Sequence, residues 1–160
     1  MVLNKFFLAV MTVFALNAQQ LIAQDCNPEV SVLHNRNRRS ITNTNGTNFT
    51  LVVSNNTILE QTYTLSAVPN SADCYDGRGG ATSQRNANNI SLLFSVEGLR
   101  LSQVVVAPRS ELTVMVSVEA SNRLTINDWT CFLIKATGVT CRAVDDGQLI
   151  MVYSGSDDEG

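Results

Sequence analysis

LSQVVVAPRSELTVMVSVEA, residues Leu101–Ala120, carries the most explicit structural code in the chain. Val104, Val105 and Val106 form an apolar run, and Pro108 and Ser110 mark a turn. Leu112, Val114, Val116 and Val118 then alternate with Thr113, Met115, Ser117 and Glu119. Successive side chains on a strand point to opposite faces, and β-branched residues suit a half-buried pleated surface. The stretch predicts two antiparallel strands around a proline turn, with one face buried.

Outward from it, the same period of two recurs. Phe49, Leu51 and Val53 alternate with Thr50, Val52 and Ser54, and Asn55-Asn56 follows as a turn signal. Tyr63, Leu65 and Ala67 alternate with Thr62, Thr64 and Ser66 until Pro69 ends the pattern, and Leu92, Phe94 and Val96 resume it. Trp129–Ala136, WTCFLIKA, is apolar on both faces, as a central strand should be; Asp146-Gly147 is a hairpin turn signal before a last strand over Leu149–Tyr153. Val30, Val32 and Leu33 predict a short first strand, and polar Asn35–Gly46 a loop or frayed edge. No stretch has a helical period. About seven short strands separated by turns predict an all-β antiparallel sandwich, with an up-and-down barrel as the alternative.

The chain has 160 residues, 16% of them charged, and a net charge of −3. Arg36, Arg38 and Arg39 are its one basic concentration, too little for a nucleic-acid partner, which needs clustered cations. At the N-terminus, Lys5 precedes FFLAVMTVFAL, Phe6–Leu16, and then small and polar residues. That is the pattern of a secretory signal, expected to be cut after Ala23. The run falls short of the roughly 20 apolar residues that span a bilayer, so no membrane insertion is expected after cleavage. The expected organisation is a signal peptide over 1–23, one domain over 24–154 and a flexible acidic tail over 155–160, in a protein that is secreted, periplasmic or held at the cell surface.

The segments TNFTLVVSNNTILEQTYTLSA (Thr47–Ala67), VVVAPRSELTVMVSVEA and WTCFLIKATG together resemble bacterial extracellular immunoglobulin-like domains. These are the fibronectin type III-like and galactosidase-associated modules. The likeness covers most of Val30–Tyr153. It implies a seven-stranded immunoglobulin-like sandwich with a non-catalytic role in binding, adhesion or spacing. The long polar stretch Asn70–Asn89 and the four cysteines depart from that pattern. The signal ending in LIAQ is similar to those of Gram-negative Bacteroidetes-type bacteria.

Cys26, Cys74, Cys131 and Cys141 all survive signal removal, and an even number in an exported chain favours two disulfides. An immunoglobulin-like order brings Cys26 beside Cys141 at one end of the sandwich and Cys74 toward Cys131 at the other. The rival pairing is Cys131–Cys141 across a hairpin with Cys26–Cys74. Short paired ligand spacings are absent and His34 is the one imidazole, so no metal site and no cofactor are expected.

The same scarcity weakens an enzyme reading. A Ser-His-Asp or Cys-His site would rest on His34 alone, and a solvated surface histidine is the simpler reading. Asp73 with Asp76, or Asp145 with Asp146, suits turns better than a calcium loop. The Asn-x-Ser/Thr triplets at Asn45, Asn48, Asn55 and Asn89 are no more than chance supplies. Arg36-Asn37-Arg38-Arg39 has the form of a dibasic processing site, or simply of a solvated turn. Trp129 is assigned to packing. Tyr75 and Arg78, in the glycine-rich loop, are the expected binding residues. The expected function is recognition of an extracellular glycan or protein. A structural subunit of a cell-surface assembly is the first alternative, and an extracellular hydrolase the second.

Overall fold

The computed structural model of the chain describes residues 28–70, 74, 84–140 and 143–157. Ten strands run through them in order: β1 (Glu29–Val32), β2 (Arg38–Ile41), β3 (Thr47–Asn55), β4 (Gln61–Pro69), β5 (Ile90–Val96), β6 (Leu99–Arg100), β7 (Gln103–Val106), β8 (Ser110–Ala120), β9 (Asp128–Gly138) and β10 (Gln148–Ser154). They form two five-stranded sheets, β1-β3-β8-β5-β6 and β2-β10-β9-β4-β7. Two open sheets with edges make a sandwich, which removes the barrel alternative. The order β1-β3-β8-β5 facing β4-β9-β10 is that of immunoglobulin strands A-B-E-D and C-F-G.

Alternation explains how the layers close. Val114, Val116 and Val118 of β8 and Leu51 and Val53 of β3 are fully buried, and their neighbours in sequence face outward. Opposite them lie Tyr63 of β4, Phe132, Ile134 and Ala136 of β9, and Ile150 and Val152 of β10. β9 is the middle strand of its sheet, flanked by β10 and β4, as its double-sided apolarity requires. The β9–β10 connection ends on Gly147, whose φ of +94° is a left-handed conformation; a Cβ there would lie 2.8 Å from Leu133 Cγ.

Three expectations need correction. Leu101–Ala120 contains two strands, but they do not pair with one another. β7 lies against β4 in one sheet, whereas β8 lies between β3 and β5 in the other. The proline turn is therefore an arch between layers. Its side-chain alternation fixes faces and carries no information on partners. Asn35–Gly46 is not all loop, because Arg38–Ile41 pairs in parallel with Met151–Ser154. The first strand ends at Val32, and exposed Leu33 begins a 3-10 turn through Asn35. These short edge strands, with two-residue β6, raise the count above seven.

The bridge Cys74–Cys131 is formed, with 5.5 Å between Cα atoms. In many immunoglobulin domains a disulfide crosses the core from strand B to strand F. Here Cys131 points outward from strand F and is covered with Cys74 by Met151, Trp129 and Leu149. Cys26 and Cys141 lie outside the described residues, as does the predicted signal peptide.

Candidate functional site

The sheets bring one set of connections to a common end. The β2–β3 loop, the start of β5, the β8–β9 connection and the residues after β10 all meet there, as the pairings Thr47↔Val118, Ile90↔Ala120 and Ser154↔Asp128 require. Gly46 permits the approach of the β2–β3 loop to β8, since a Cβ at this position would stand 2.6 Å from the Val118 carbonyl oxygen.

Amide side chains knit this end together. Asn86, fully buried, donates from Nδ2 to the Thr125 carbonyl at 2.8 Å and to Ser154 Oγ at 3.0 Å, while its Oδ1 accepts the Thr125 N–H at 2.8 Å. Asn43 Oδ1 accepts the Leu124 N–H at 2.8 Å. The Asn89 side chain donates to the Arg123 carbonyl, and the Asn89 main-chain carbonyl accepts the Ser121 and Asn122 N–H groups. These bonds hold a chain segment without secondary structure in one shape, because each would otherwise leave a main-chain group unpaired.

On this frame sits Asp157. Its Oδ1 accepts from Thr44 Oγ1 at 2.9 Å and the Thr44 N–H at 3.2 Å, and its Oδ2 accepts from Asn43 Nδ2 at 3.3 Å. Hydrogen bonds from Thr42 and Thr44 hold its carboxyl below the usual aspartate value. Two open clefts flank it. One, of about 510 Å³, is lined by Asn43, Ala120, Ser121, Asn122, Arg123 and Asp157. The other, of about 330 Å³, runs past Ser40, Thr42, Asn45, Ser156 and Asp157 to Tyr153.

Tyr153 and Trp129 face each other across the β10–β9 ladder on the outer surface of their sheet. Their ring centroids are 5.2 Å apart with planes tilted by 49°, and both rings are half-buried. The Tyr153 hydroxyl donates to Asn127 Oδ1 at 2.7 Å. Asn127 has a φ of +59°, a left-handed conformation that asparagine tolerates, and its N–H donates to the Ser154 carbonyl at 2.7 Å. The arrangement offers an aromatic face beside amide, hydroxyl and carboxylate groups.

The expected binding residues Tyr75 and Arg78 lie outside the described residues, as do Asp73 and Asp76. Trp129, assigned from the sequence to packing, lies against the disulfide and also reaches the surface. His34 is exposed on the 3-10 turn. Asp145 lies at the hairpin, where burial raises its carboxyl against the pull of the Gly147 and Val30 N–H groups and its Oδ2 has no hydrogen-bond partner among the described residues. Among the described residues no group of three or more His, Cys, Asp and Glu could hold a metal ion. Arg38 and Arg39 are strand residues of β2 rather than part of an open loop. Of the four Asn-x-Ser/Thr asparagines, Asn55 is buried with its amide committed to three carbonyls.

No protein-family model matches the sequence, and no curated protein matches it. Solved structures do match the fold. A FixG-related protein from Vibrio parahaemolyticus is 16% identical with a TM-score of 0.51, covering 81% of this chain and 96% of that one. A candidate carbohydrate binding protein from Bacteroides ovatus is 10% identical with a TM-score of 0.50, covering 79% of this chain and 36% of that one. The CupB2 chaperone of Pseudomonas aeruginosa is 12% identical with a TM-score of 0.42, covering 81% of this chain and 56% of that one. At such identities the likeness is one of fold.

Proposed function

We propose that this chain is an exported, non-catalytic immunoglobulin-like recognition module that binds an extracellular glycan at the end carrying Trp129, Tyr153 and Asp157. The observation that carries the reading is the half-exposed Trp129–Tyr153 pair beside the cleft that leads to Asp157. A pyranose ring has an apolar C–H face that packs on an aromatic ring, and a rim of hydroxyls that need fixed donors and acceptors. Tyr and Trp present apolar area with a polar tip, and recognition sites place a few convergent polar groups around such area. Ser40, Thr42, Asn45 and Ser156 supply those groups here.

The disulfide supports an oxidising compartment outside the cytoplasm, where such bonds persist. Tyr75 and Arg78 complete the proposal: the connection that bears them leaves β4 and returns to β5 at this same end of the sandwich.

The test is an array of glycans and matrix proteins probed with the oxidised protein and with Tyr153→Ala and Asp157→Ala variants. A saturable glycan signal that both variants lose supports the reading. A blank array, or glycan binding indifferent to both substitutions, contradicts it, and a signal confined to proteins replaces the glycan with a protein ligand. Loss of the signal in Tyr75→Ala and Arg78→Ala variants would add those residues to the surface.

A further inference from the structure

The edges of the two sheets are unequally protected. Exposed strand edges invite pairing with another chain, and proteins blunt them with charge, proline, bulges or brevity. β1 carries Glu29, β2 carries Arg38 and Arg39, and β7 has only four residues. β5, with the sequence ISLLFSV, has neither charge nor proline. Its partner at the sheet edge, β6, covers only Ser95 and Val96, and beyond them the Leu101 N–H reaches the Phe94 carbonyl at 3.0 Å. Among the described residues no strand pairs with the outer side of Ile90–Leu93.

The pattern of that outer side follows from the ladder. Phe94 turns its carbonyl away from β8, toward Leu101. Along an antiparallel strand alternate residues direct their main-chain groups to the same side, so Ile90 and Leu92 also present N–H and C=O outward. The side chains of these two residues face the core, and that of Ser91 faces the outer surface. An antiparallel copy of the same segment, centred on Ser91, would set Ile90 against Leu92 of the second copy and Leu92 against its Ile90. All four outward groups of each copy would then find partners. The apolar side chains would meet on the inner face and Ser91 would meet Ser91 on the outer face.

We propose that the edge of β5, unpaired over Ile90–Leu93 among the described residues, is an interaction surface for a second copy of this chain, joined antiparallel about a twofold axis at Ser91. The β5-containing sheets of the two copies become one continuous sheet. The occupant is a second copy because the segment is complementary to itself: one register satisfies every outward main-chain group, matches apolar with apolar and brings no charges together. The contact is short, so association is reversible and dependent on concentration.

Sedimentation equilibrium of the oxidised protein, from micromolar to millimolar concentration, tests this together with two variants. The expected result is a reversible monomer–dimer equilibrium. Ser91→Lys faces two ammonium groups across the axis and weakens association several-fold, with the thermal transition of the monomer retained. Ser91→Cys sits at the non-hydrogen-bonded pair, where Cα atoms approach closely enough for a disulfide, and gives a covalent dimer under mild oxidation. Ser117→Cys, on β8 opposite Leu93, stays uncrosslinked as the control. A single monomeric species at every concentration overturns the proposal, as does a dimer that Ser91→Lys leaves unchanged. A Ser91→Cys chain that crosslinks no faster than the Ser117→Cys control also overturns it.

Discussion

Asn55 should be among the most costly polar residues in the domain to replace. Although it ends β3, it has no exposed surface. Its Nδ2 donates to the carbonyls of Leu59 at 2.8 Å, Val106 at 3.0 Å and Ala107 at 3.0 Å, and its Oδ1 accepts the Thr57 N–H at 3.0 Å and the Thr57 hydroxyl at 2.8 Å. One side chain thus fastens the β3–β4 turn to the arch between β7 and β8. In Asn55→Ala, water can reach the carbonyls of exposed Leu59 and Ala107, but Thr57 and Val106 are buried. Each buried group left unpaired costs about 1–3 kcal/mol, so two of them with a small cavity give a loss of about 3 kcal/mol or more. For a domain of this size that lowers Tm by roughly 10 °C. Asn55→Asp should be worse than alanine, since it sets a buried negative charge against three carbonyl oxygens and removes the only donor. Urea denaturation and calorimetry of the two variants measure this. An alanine variant within about 1 kcal/mol of wild type, or an aspartate variant more stable than the alanine one, would refute the reasoning.

Other consequences concern the core and the bridge. Among the described residues the buried Tyr63 hydroxyl has no hydrogen-bond partner, so Tyr63→Phe should raise stability by up to about 1 kcal/mol in denaturant titration; a loss would show that the hydroxyl is satisfied. Cys74 and Cys131 are 57 residues apart, and replacing both with serine should cost up to about 4 kcal/mol by releasing loop-closure entropy. Non-reducing peptide mapping should also return a Cys26–Cys141 peptide, since Val30 and the β9–β10 hairpin lie close enough for Asp145 to bond both; free thiols at those positions would contradict it. Burial holds the Asp145 carboxyl above its ordinary value, against the pull of N–H groups from Gly147 and Val30. The folded chain then keeps this proton to higher pH than the unfolded chain, so stability falls as pH rises from the ordinary aspartate value through the raised one. Asp145→Asn should flatten that slope in unfolding measured across acid pH, and an unchanged slope would refute the assignment.

The strands were legible wherever one face is buried, because burial writes a period of two into the sequence. Thr47–Asn55, Gln61–Pro69 and Ser110–Ala120 all show it. Partners were less legible. Nothing in VVVAPRSELTV distinguishes a hairpin from an arch, since both bury alternate residues. Arg38-Arg39-Ser40-Ile41 was hidden for a different reason: an edge strand buries one residue, Ile41, and leaves the rest polar. Asn55 looked like a turn asparagine and is one, but its amide also reaches the arch between β7 and β8, which lies far away in sequence. The polar end was the least legible part. Asn43, Asn86 and Asp157 act through long-range hydrogen bonds, and short-range patterning carries no trace of them.

Trp129 is the one tryptophan in the chain, so its emission reports on the proposed site alone. The most direct measurement is a fluorescence titration of the oxidised protein with the strongest glycan from the array, repeated on Tyr153→Ala. The account predicts a saturable change in Trp129 emission that follows the binding isotherm and disappears in the variant. Saturable binding with Trp129 emission unchanged, and with the same affinity in Tyr153→Ala, would place recognition elsewhere on the sandwich and contradict it.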